Sequence, residues 1–169
     1  MQPKVTTPAI KGIFISLILI VLSMAIYFAG QSQNKAIQWI QSALFGIGII
    51  WACISFSKQM NGNITFGNAF AHGFKTSAAT TAILLAYLFL FLKFIAPSFI
   101  DQTLEISRQQ MEAQGKLTSD QIDQALTMTK KFFVPFAIGG GLIMYALLGA
   151  IFSLIGAAIA KKNPNPEIA

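Results

Sequence analysis

The sequence is short of charged residues and of cysteine. It has 12 basic and 6 acidic residues, together 11% of its 169 residues, whereas ordinary soluble domains have about 25%. The single cysteine, Cys53, has no partner in the chain, so neither a disulfide framework nor a cysteine-rich metal site can form. Together with a hydrophobic content of 54%, these shortages exclude a soluble globular protein, a disordered chain and a disulfide-stapled secreted domain.

What the chain has instead is four long apolar windows, in which the only charged residue is Lys93. The windows are residues 12–30, 37–57, 76–95 and 132–160. Crossing a hydrocarbon layer of about 30 Å takes about 20 residues of helix. The sequence therefore predicts an all-α integral membrane protein with four transmembrane helices. The predicted spans are about 12–30, 37–57, 74–95 and 132–160.

Residues 97–131, between the third and fourth spans, have a different character. They carry nine of the charged residues. Gly115 is a natural helix stop, and Thr118 and Gln121 match a capping box at the start of a second helix. We therefore expect an extramembrane amphipathic helical hairpin over 97–131. The apolar stripe of its first arm is Ile100, Leu104, Ser107 and Met111.

The spans and the hairpin are expected to form a single domain over residues 1–162, followed by a short polar tail at 163–169. The first span is expected to be retained, because its apolar stretch is longer than the 7–15 residues or so of a signal peptide. Four spans place both termini on one side. Lysine and arginine divide equally between the two sides, but net charge favours cytoplasmic termini and an external hairpin.

The third span has a hydroxyl face formed by Thr76, Ser77, Thr80 and Thr81, which fall on one side of a helix. One interpretation is a polar path or ligand face. The other, which we favour, is helix packing, because small hydroxylated residues permit close approach and can bond carbonyls of their own helix.

The last span is rich in small residues at helical spacing, which indicates a packing face. Three successive glycines could also mark a broken helix, as in transporters, but a corresponding interruption in a second repeat is missing, so packing is favoured. The residues concerned are Gly139, Gly140, Gly141, Gly149, Ser153 and Ala157.

The sequence predicts no catalytic, cofactor-binding or metal-binding residue, no cofactor and no enzymatic activity. His72 is the only histidine and has no nearby carboxylate in the sequence, and the motifs of hydrolases, metalloproteases and nucleotide-binding loops are missing. No charge is expected at mid-membrane depth, which argues against a pump or proton relay. The basic residues, Lys11 among them, lie near the ends of the windows, as expected for contact with lipid headgroups and not with nucleic acid.

Several motifs resemble a known family when they are taken in order. They are Ile64-Thr65-Phe66-Gly67-x-Ala69-Phe70-x-x-Gly73-Phe74, Pro97-x-Phe99, Gly115-x-Leu117-Thr118, and Gly149-x-x-x-Ser153-Leu154-Ile155-x-Ala157-Ala158-x-x-Lys161-Lys162. Over about residues 10–162 the chain resembles the family called domain of unknown function 4199, small four-span membrane proteins of Gram-negative bacteria. The resemblance implies an inner-membrane location and the same four-helix plan, and it supplies no activity.

Two functional hypotheses remain. The first is a non-enzymatic membrane protein with a structural or interaction role, which uses helix packing and the 97–131 hairpin. Its partners would be the lipid bilayer and either a second copy or another membrane protein. The alternative is a small transporter or channel subunit that uses the hydroxyl face of the third helix.

Overall fold

A computed structural model describes residues 5–32 and 34–162. The predicted tail at 163–169 lies outside these residues. The structure is 85% helical, and the described residues contain no strand. The predicted all-α class is therefore confirmed. The helices are α1 (Pro8–Phe28), α2 (Lys35–Gln59), α3 (Phe66–Leu90), α4 (Ser98–Gln114) and α5 (Ser119–Ile159).

Four helices are long and apolar enough to cross a membrane: Pro8–Phe28, Ala36–Gln59, Phe66–Ile95 and Ser119–Ile159. Their number matches the prediction, and all four start before the predicted spans, the third by eight residues and the fourth by thirteen. The third helix begins at Phe66 and not near residue 74, because Thr65 caps it: the Thr65 Oγ1 accepts a hydrogen bond from the Asn68 backbone N–H at 3.2 Å. The fourth continues without a break from the second arm of the predicted hairpin, with Pro135 inside the helix.

The turns follow from their local sequence. Between α2 and α3, Asn61 and Gly62 both have positive φ angles, of 54° and 78°, as expected for an Asn-Gly turn. After α4, Gly115 is left-handed with a φ of 62°. The capping box at the start of α5 is confirmed: the Thr118 N–H donates to the Gln121 side chain at 2.9 Å, and the Gln121 N–H donates to the Thr118 hydroxyl at 3.4 Å.

A π-helical turn, Phe91–Ile95, directly follows α3 and ends the third apolar helix. The Ala96 N–H donates to the Phe91 carbonyl oxygen at 2.8 Å, which closes this wider turn. Lys93 is exposed, and its Nζ lies 5.5 Å from the centroid of the Phe89 ring. Lys93 therefore lies in the last turn of the third apolar window.

The chain divides into two compact units. Unit 1 comprises residues 5–84 and 144–162 of the described chain, and unit 2 comprises residues 85–143. Unit 1 is a bundle built from α1, α2, the first part of α3 and the last part of α5. Unit 2 contains the end of α3, the π-helical turn, α4 and the first part of α5. The largest buried cluster of unit 1 is Ile15, Leu19, Phe45, Ile49 and Leu84. That of unit 2 between α4 and α5 is Leu104, Ile122 and Leu126.

Candidate functional site

The hydroxyl face of α3 lies in the interior of unit 1. All four predicted residues are buried: Thr76, Ser77, Thr80 and Thr81. The Thr76 hydroxyl donates to the His72 carbonyl oxygen at 2.9 Å, and the Thr80 hydroxyl donates to the Thr76 carbonyl oxygen at 2.9 Å. These two hydroxyls therefore bond the backbone of their own helix one turn earlier.

Helix α1 approaches the hydroxyl face closely at Gly12. A Cβ atom placed on Gly12 would lie 2.8 Å from the Ala79 Cβ and 3.0 Å from the Thr76 carbonyl oxygen. The Thr80 Oγ1 lies 3.3 Å from the Gly12 carbonyl oxygen. Because one of the obstructing atoms belongs to the backbone, only glycine permits this distance between α1 and α3.

The carboxyl-terminal part of α5 covers another side of α3. A Cβ on Gly149 would lie 1.8 Å from the Ser77 Oγ and 2.8 Å from the Ser77 Cβ. Ser153 and Ala157, one and two turns further on, are fully buried. The structure thus brings three of the predicted small residues, Gly149, Ser153 and Ala157, into the interior of unit 1.

The three successive glycines of α5 lie in unit 2 and have different surroundings. A Cβ on Gly139 or Gly140 would meet nothing within 4 Å in the described part of the chain, and one on Gly141 would lie 3.0 Å from the Leu85 side chain. The helix continues through all three. Within the described residues, therefore, Gly141 has a close neighbour, whereas Gly139 and Gly140 form an open patch.

Sequence reasoning missed the burial of Lys11. The residue was expected at the headgroups, but only 2% of it is exposed, and its Nζ donates to the Ala52 carbonyl oxygen at 3.2 Å. The same Nζ lies 6.0 Å from the centroid of the Trp51 ring. Helical periodicity carried the signal, because Lys11 shares a face with Ile15 and Ser16, which are also buried.

Two further reactive side chains lie inside unit 1. Cys53 is fully buried, with its Sγ 3.5 Å from the Ala69 carbonyl oxygen. The His72 ring stacks on Phe56 with a centroid distance of 4.2 Å and an interplanar angle of 7°. Both residues are held by close packing, and no described group of three or more His, Cys, Asp or Glu side chains could hold a metal ion.

Some buried polar atoms of unit 1 have no hydrogen-bond partner among the described residues. They are the His72 Nε2, the Thr81 Oγ1 and the Ser153 Oγ. Such atoms usually bond a partner or an ordered water molecule when they are buried. This interior can therefore offer hydrogen bonds to a small polar molecule, but it has no carboxylate with which to build an acid–base pair.

The pair formed by α4 and the start of α5 carries a charged groove of about 340 Å³. The Lys130 Nζ lies 2.6 Å from an Asp101 carboxylate oxygen, and Arg108 forms a second ion pair with Asp123. The hydrogen bond to Asp123 raises the pKa of Arg108 above its ordinary value, and the negative charge of Asp123 adds to the effect. Beneath the charges lies the apolar seam that Leu104 shares with α5.

Comparison with known proteins agrees with the resemblance noted in the sequence. No curated protein and no solved structure matches the chain. The family model described as "Protein of unknown function (DUF4199)" matches residues 11–162, which is most of the chain. The matched residues run from the buried Lys11 in α1 to Lys162 just after α5. The chain therefore belongs to the DUF4199 family of proteins of unknown function.

Proposed function

We propose that the protein is an integral membrane protein of the bacterial inner membrane with a structural or interaction role and no enzymatic activity. The observation that carries this proposal is the distribution of polar and apolar side chains in unit 1. The hydroxyl face of α3 and Lys11 lie inside, whereas large apolar side chains cover its outside. Soluble proteins rarely expose large continuous apolar patches. Among the outward residues are Ile13, Leu17, Val21, Trp39, Ile47, Leu147 and Ile151.

The α4–α5 pair supplies the polar surface of this membrane protein. Its ion pairs and charged groove suit water, and we place it outside the bilayer on the external face, with both chain termini in the cytoplasm. A partner protein would meet this surface first, because it holds half of the charged residues of the chain.

The orientation is tested by cysteine accessibility in a Cys53→Ser background. Gln110→Cys places a thiol on the exposed side of α4, and Asn68→Cys places one on the exposed start of α3. Treating intact cells with an impermeant thiol reagent should label residue 110 and leave residue 68 unlabelled. Labelling of residue 68 alone would reverse the proposed orientation.

Within the membrane, the open patch of Gly139 and Gly140 supports contact with a second copy or another membrane protein, because bare glycines let helices approach closely. Native mass spectrometry from membranes should find a complex, and Gly140→Leu should weaken it. Ala146→Leu, at another exposed position of α5, is the matched control and should leave the complex unchanged. Finding only single chains for the wild type would contradict the assembly proposal.

A second candidate function is a small transporter or channel subunit. It is favoured by buried atoms of His72, Thr81 and Ser153 that have no hydrogen-bond partner among the described residues and could bond water or a small polar solute. Replacing Thr76, Ser77, Thr80 and Thr81 with alanine or valine should then lower flux in vesicles. Unchanged flux for every solute tested would reject this alternative.

A further inference from the structure

An apolar groove of about 250 Å³ runs between α1 and α2 on the outside of unit 1. Phe14, Ile18 and Leu19 line one wall, and Leu44, Ile47 and Trp51 line the other with Gly48 at its floor. The lining on α2 extends from Leu44 to Trp51, a rise of about 10 Å at 1.5 Å per residue. Its size and chemistry suit a flexible hydrocarbon chain.

The large side chains that line the groove make it unsuitable for close packing of another helix. Transmembrane helices pair closely where both partners present small residues. Here the α1 wall carries only large side chains, and the Phe14 and Trp51 rings stand 6.4 Å apart at one end. The single small residue of the groove, Gly48, already faces Ile15: a Cβ on Gly48 would lie 3.0 Å from that side chain.

The described residues of unit 1 carry charges of one sign. Residues 5–84 and 144–162 contain six lysines and neither aspartate nor glutamate, and Glu167 follows in the tail. The start of α1 meets the end of α2, where the Thr6 N–H donates to the Gln59 side chain at 3.0 Å. The end of α5 joins them, since the Ser57 hydroxyl donates to the Lys161 carbonyl oxygen. Four of the lysines therefore belong to this end of unit 1: Lys11, Lys58, Lys161 and Lys162.

Lys58 connects this basic end to the groove. It follows Trp51 by seven residues and Leu44 by fourteen, so all three lie on one face of α2. Its side chain is exposed, whereas Lys11 lies buried behind the Trp51 ring. A molecule in the groove would thus have a hydrocarbon channel along its length, an aromatic ring near one end and an exposed cation beyond the ring.

We propose that the α1–α2 groove binds one anionic phospholipid, with an acyl chain along Leu44, Gly48 and Trp51 and the phosphate at Lys58. The described residues of unit 1 include no aspartate or glutamate that could neutralise these lysines, so an anionic headgroup is a suitable counter-charge for Lys58. Tryptophan and lysine are side chains that favour the membrane interface. This inference rests on the membrane insertion proposed above.

Tryptophan quenching by brominated lipids tests the proposal, because the chain has only two tryptophans. Trp39→Phe leaves Trp51 as a reporter in the groove, and Trp51→Phe leaves Trp39, near the start of α2, as the matched control. Each variant is placed in phosphatidylcholine vesicles that contain either brominated phosphatidylglycerol or brominated phosphatidylcholine. At Trp51 we expect the anionic lipid to bind about fivefold more tightly than the zwitterionic one, and at Trp39 no preference.

Two charge variants locate the headgroup. Lys58→Gln in the Trp51 reporter should abolish the anionic preference, whereas Lys75→Gln, which removes the same charge from an exposed position of α3, should preserve it. Wild-type helicity by circular dichroism confirms that both variants fold. Inorganic phosphate at millimolar concentration should leave the preference unchanged, because the groove recognises the lipid and not its phosphate alone.

Each opposite result overturns the proposal in its own way. Equal quenching by both lipids at Trp51, or an equal preference at Trp39, means that the groove is not selective. Loss of the preference in phosphate means that a free anion is the ligand. If Trp51 is protected from quenching and loses that protection when the protein is diluted with more lipid, a second copy of the chain fills the groove. If neither lipid quenches either tryptophan, the failure is that of membrane insertion itself.

Discussion

Unit 1 and the α4–α5 pair of unit 2 differ in where their polar and charged residues lie. In unit 1, hydroxyls and a lysine are buried beside an apolar cluster, and many leucine, isoleucine and phenylalanine side chains also face outward. In the α4–α5 pair, leucine and isoleucine form the inner seam, and ion pairs lie on the surface. One chain therefore shows two solutions to burial, one that suits a hydrocarbon surrounding and one that suits water.

The two regions should also depend on different interactions. In lipid, apolar side chains gain little by packing against protein, so helices associate through close van der Waals contact and hydrogen bonds. Gly12 and Gly149 allow such close contact in unit 1. In water, exposed ion pairs contribute little, so the α4–α5 pair should depend on its apolar seam around Leu104. Substitutions in the two regions test this difference.

The largest effect is expected from a charge on the outside of unit 1. Leu147 is 59% exposed and lies near the middle of the predicted fourth span. Leu147→Lys should make membrane insertion less favourable by about 3 kcal/mol, measured as the membrane-integrated fraction on expression. Gln110→Lys, on the exposed side of α4, should insert like the wild type. Equal insertion of both variants would contradict the proposed difference in surroundings between unit 1 and the α4–α5 pair.

The next effect is expected in the seam of the α4–α5 pair. Leu104 is buried against Ile122 and Leu126, so Leu104→Ala should leave a cavity and destabilise the pair by about 2.5 kcal/mol. Hydrogen exchange measured by mass spectrometry should become faster in α4, while α1 stays protected. Unchanged exchange in α4 would mean that the seam does not hold the pair together.

Substitutions at two glycines of α5 should have a smaller effect, and one of them serves as the control for the other. Gly149→Ala forces a Cβ against Ser77 and should destabilise unit 1 by about 2 kcal/mol. Gly140→Ala meets open space and should be neutral or slightly stabilising, because alanine favours the helix. Unfolding in detergent, followed by tryptophan fluorescence, measures both. Equal loss of stability in the two variants would contradict the close contact at Gly149.

The smallest effect is expected from the surface ion pairs. Arg108→Ala should change the stability of the α4–α5 pair only slightly, and the difference from the wild type should vanish in high salt. Because the pKa of Arg108 is raised in the folded protein, its contribution is present below its ordinary pKa and is lost only at pH values above it. Hydrogen exchange of α4, corrected for its intrinsic pH dependence, should show the same difference at pH 6 and pH 9.

Much of this architecture could be predicted from the sequence, because the signals were local or periodic. The left-handed Gly115, the capping box of Thr118 and Gln121, and the four long apolar helices each follow from a short stretch of chain. The spacing of the four hydroxyl residues likewise puts them on one face of α3. What these features share is that a short stretch of chain decides them.

The rest depended on tertiary neighbours. Lys11 has the type and position of a headgroup contact, and only its register with Ile15 and Ser16 places it inside. Gly139 and Gly149 look alike in sequence, but Ser77 stands against one and nothing described stands within 4 Å of a Cβ on the other. Composition cannot separate such positions, because their difference lies in which helix passes beside them.

The central claim, that the outside of unit 1 lies in lipid while the α4–α5 pair lies in water, has a direct test. In a Cys53→Ser background, Leu147→Cys and Gln110→Cys each place one thiol at a position that is exposed in the structure. Detergent-permeabilised and intact membranes are treated with a water-soluble maleimide. The thiol at 110 should react in at least one of the two preparations. The thiol at 147 should react in neither of them, and only after the membrane is fully dissolved and the protein denatured. Equal reaction rates at 147 and 110 in membranes would contradict the account.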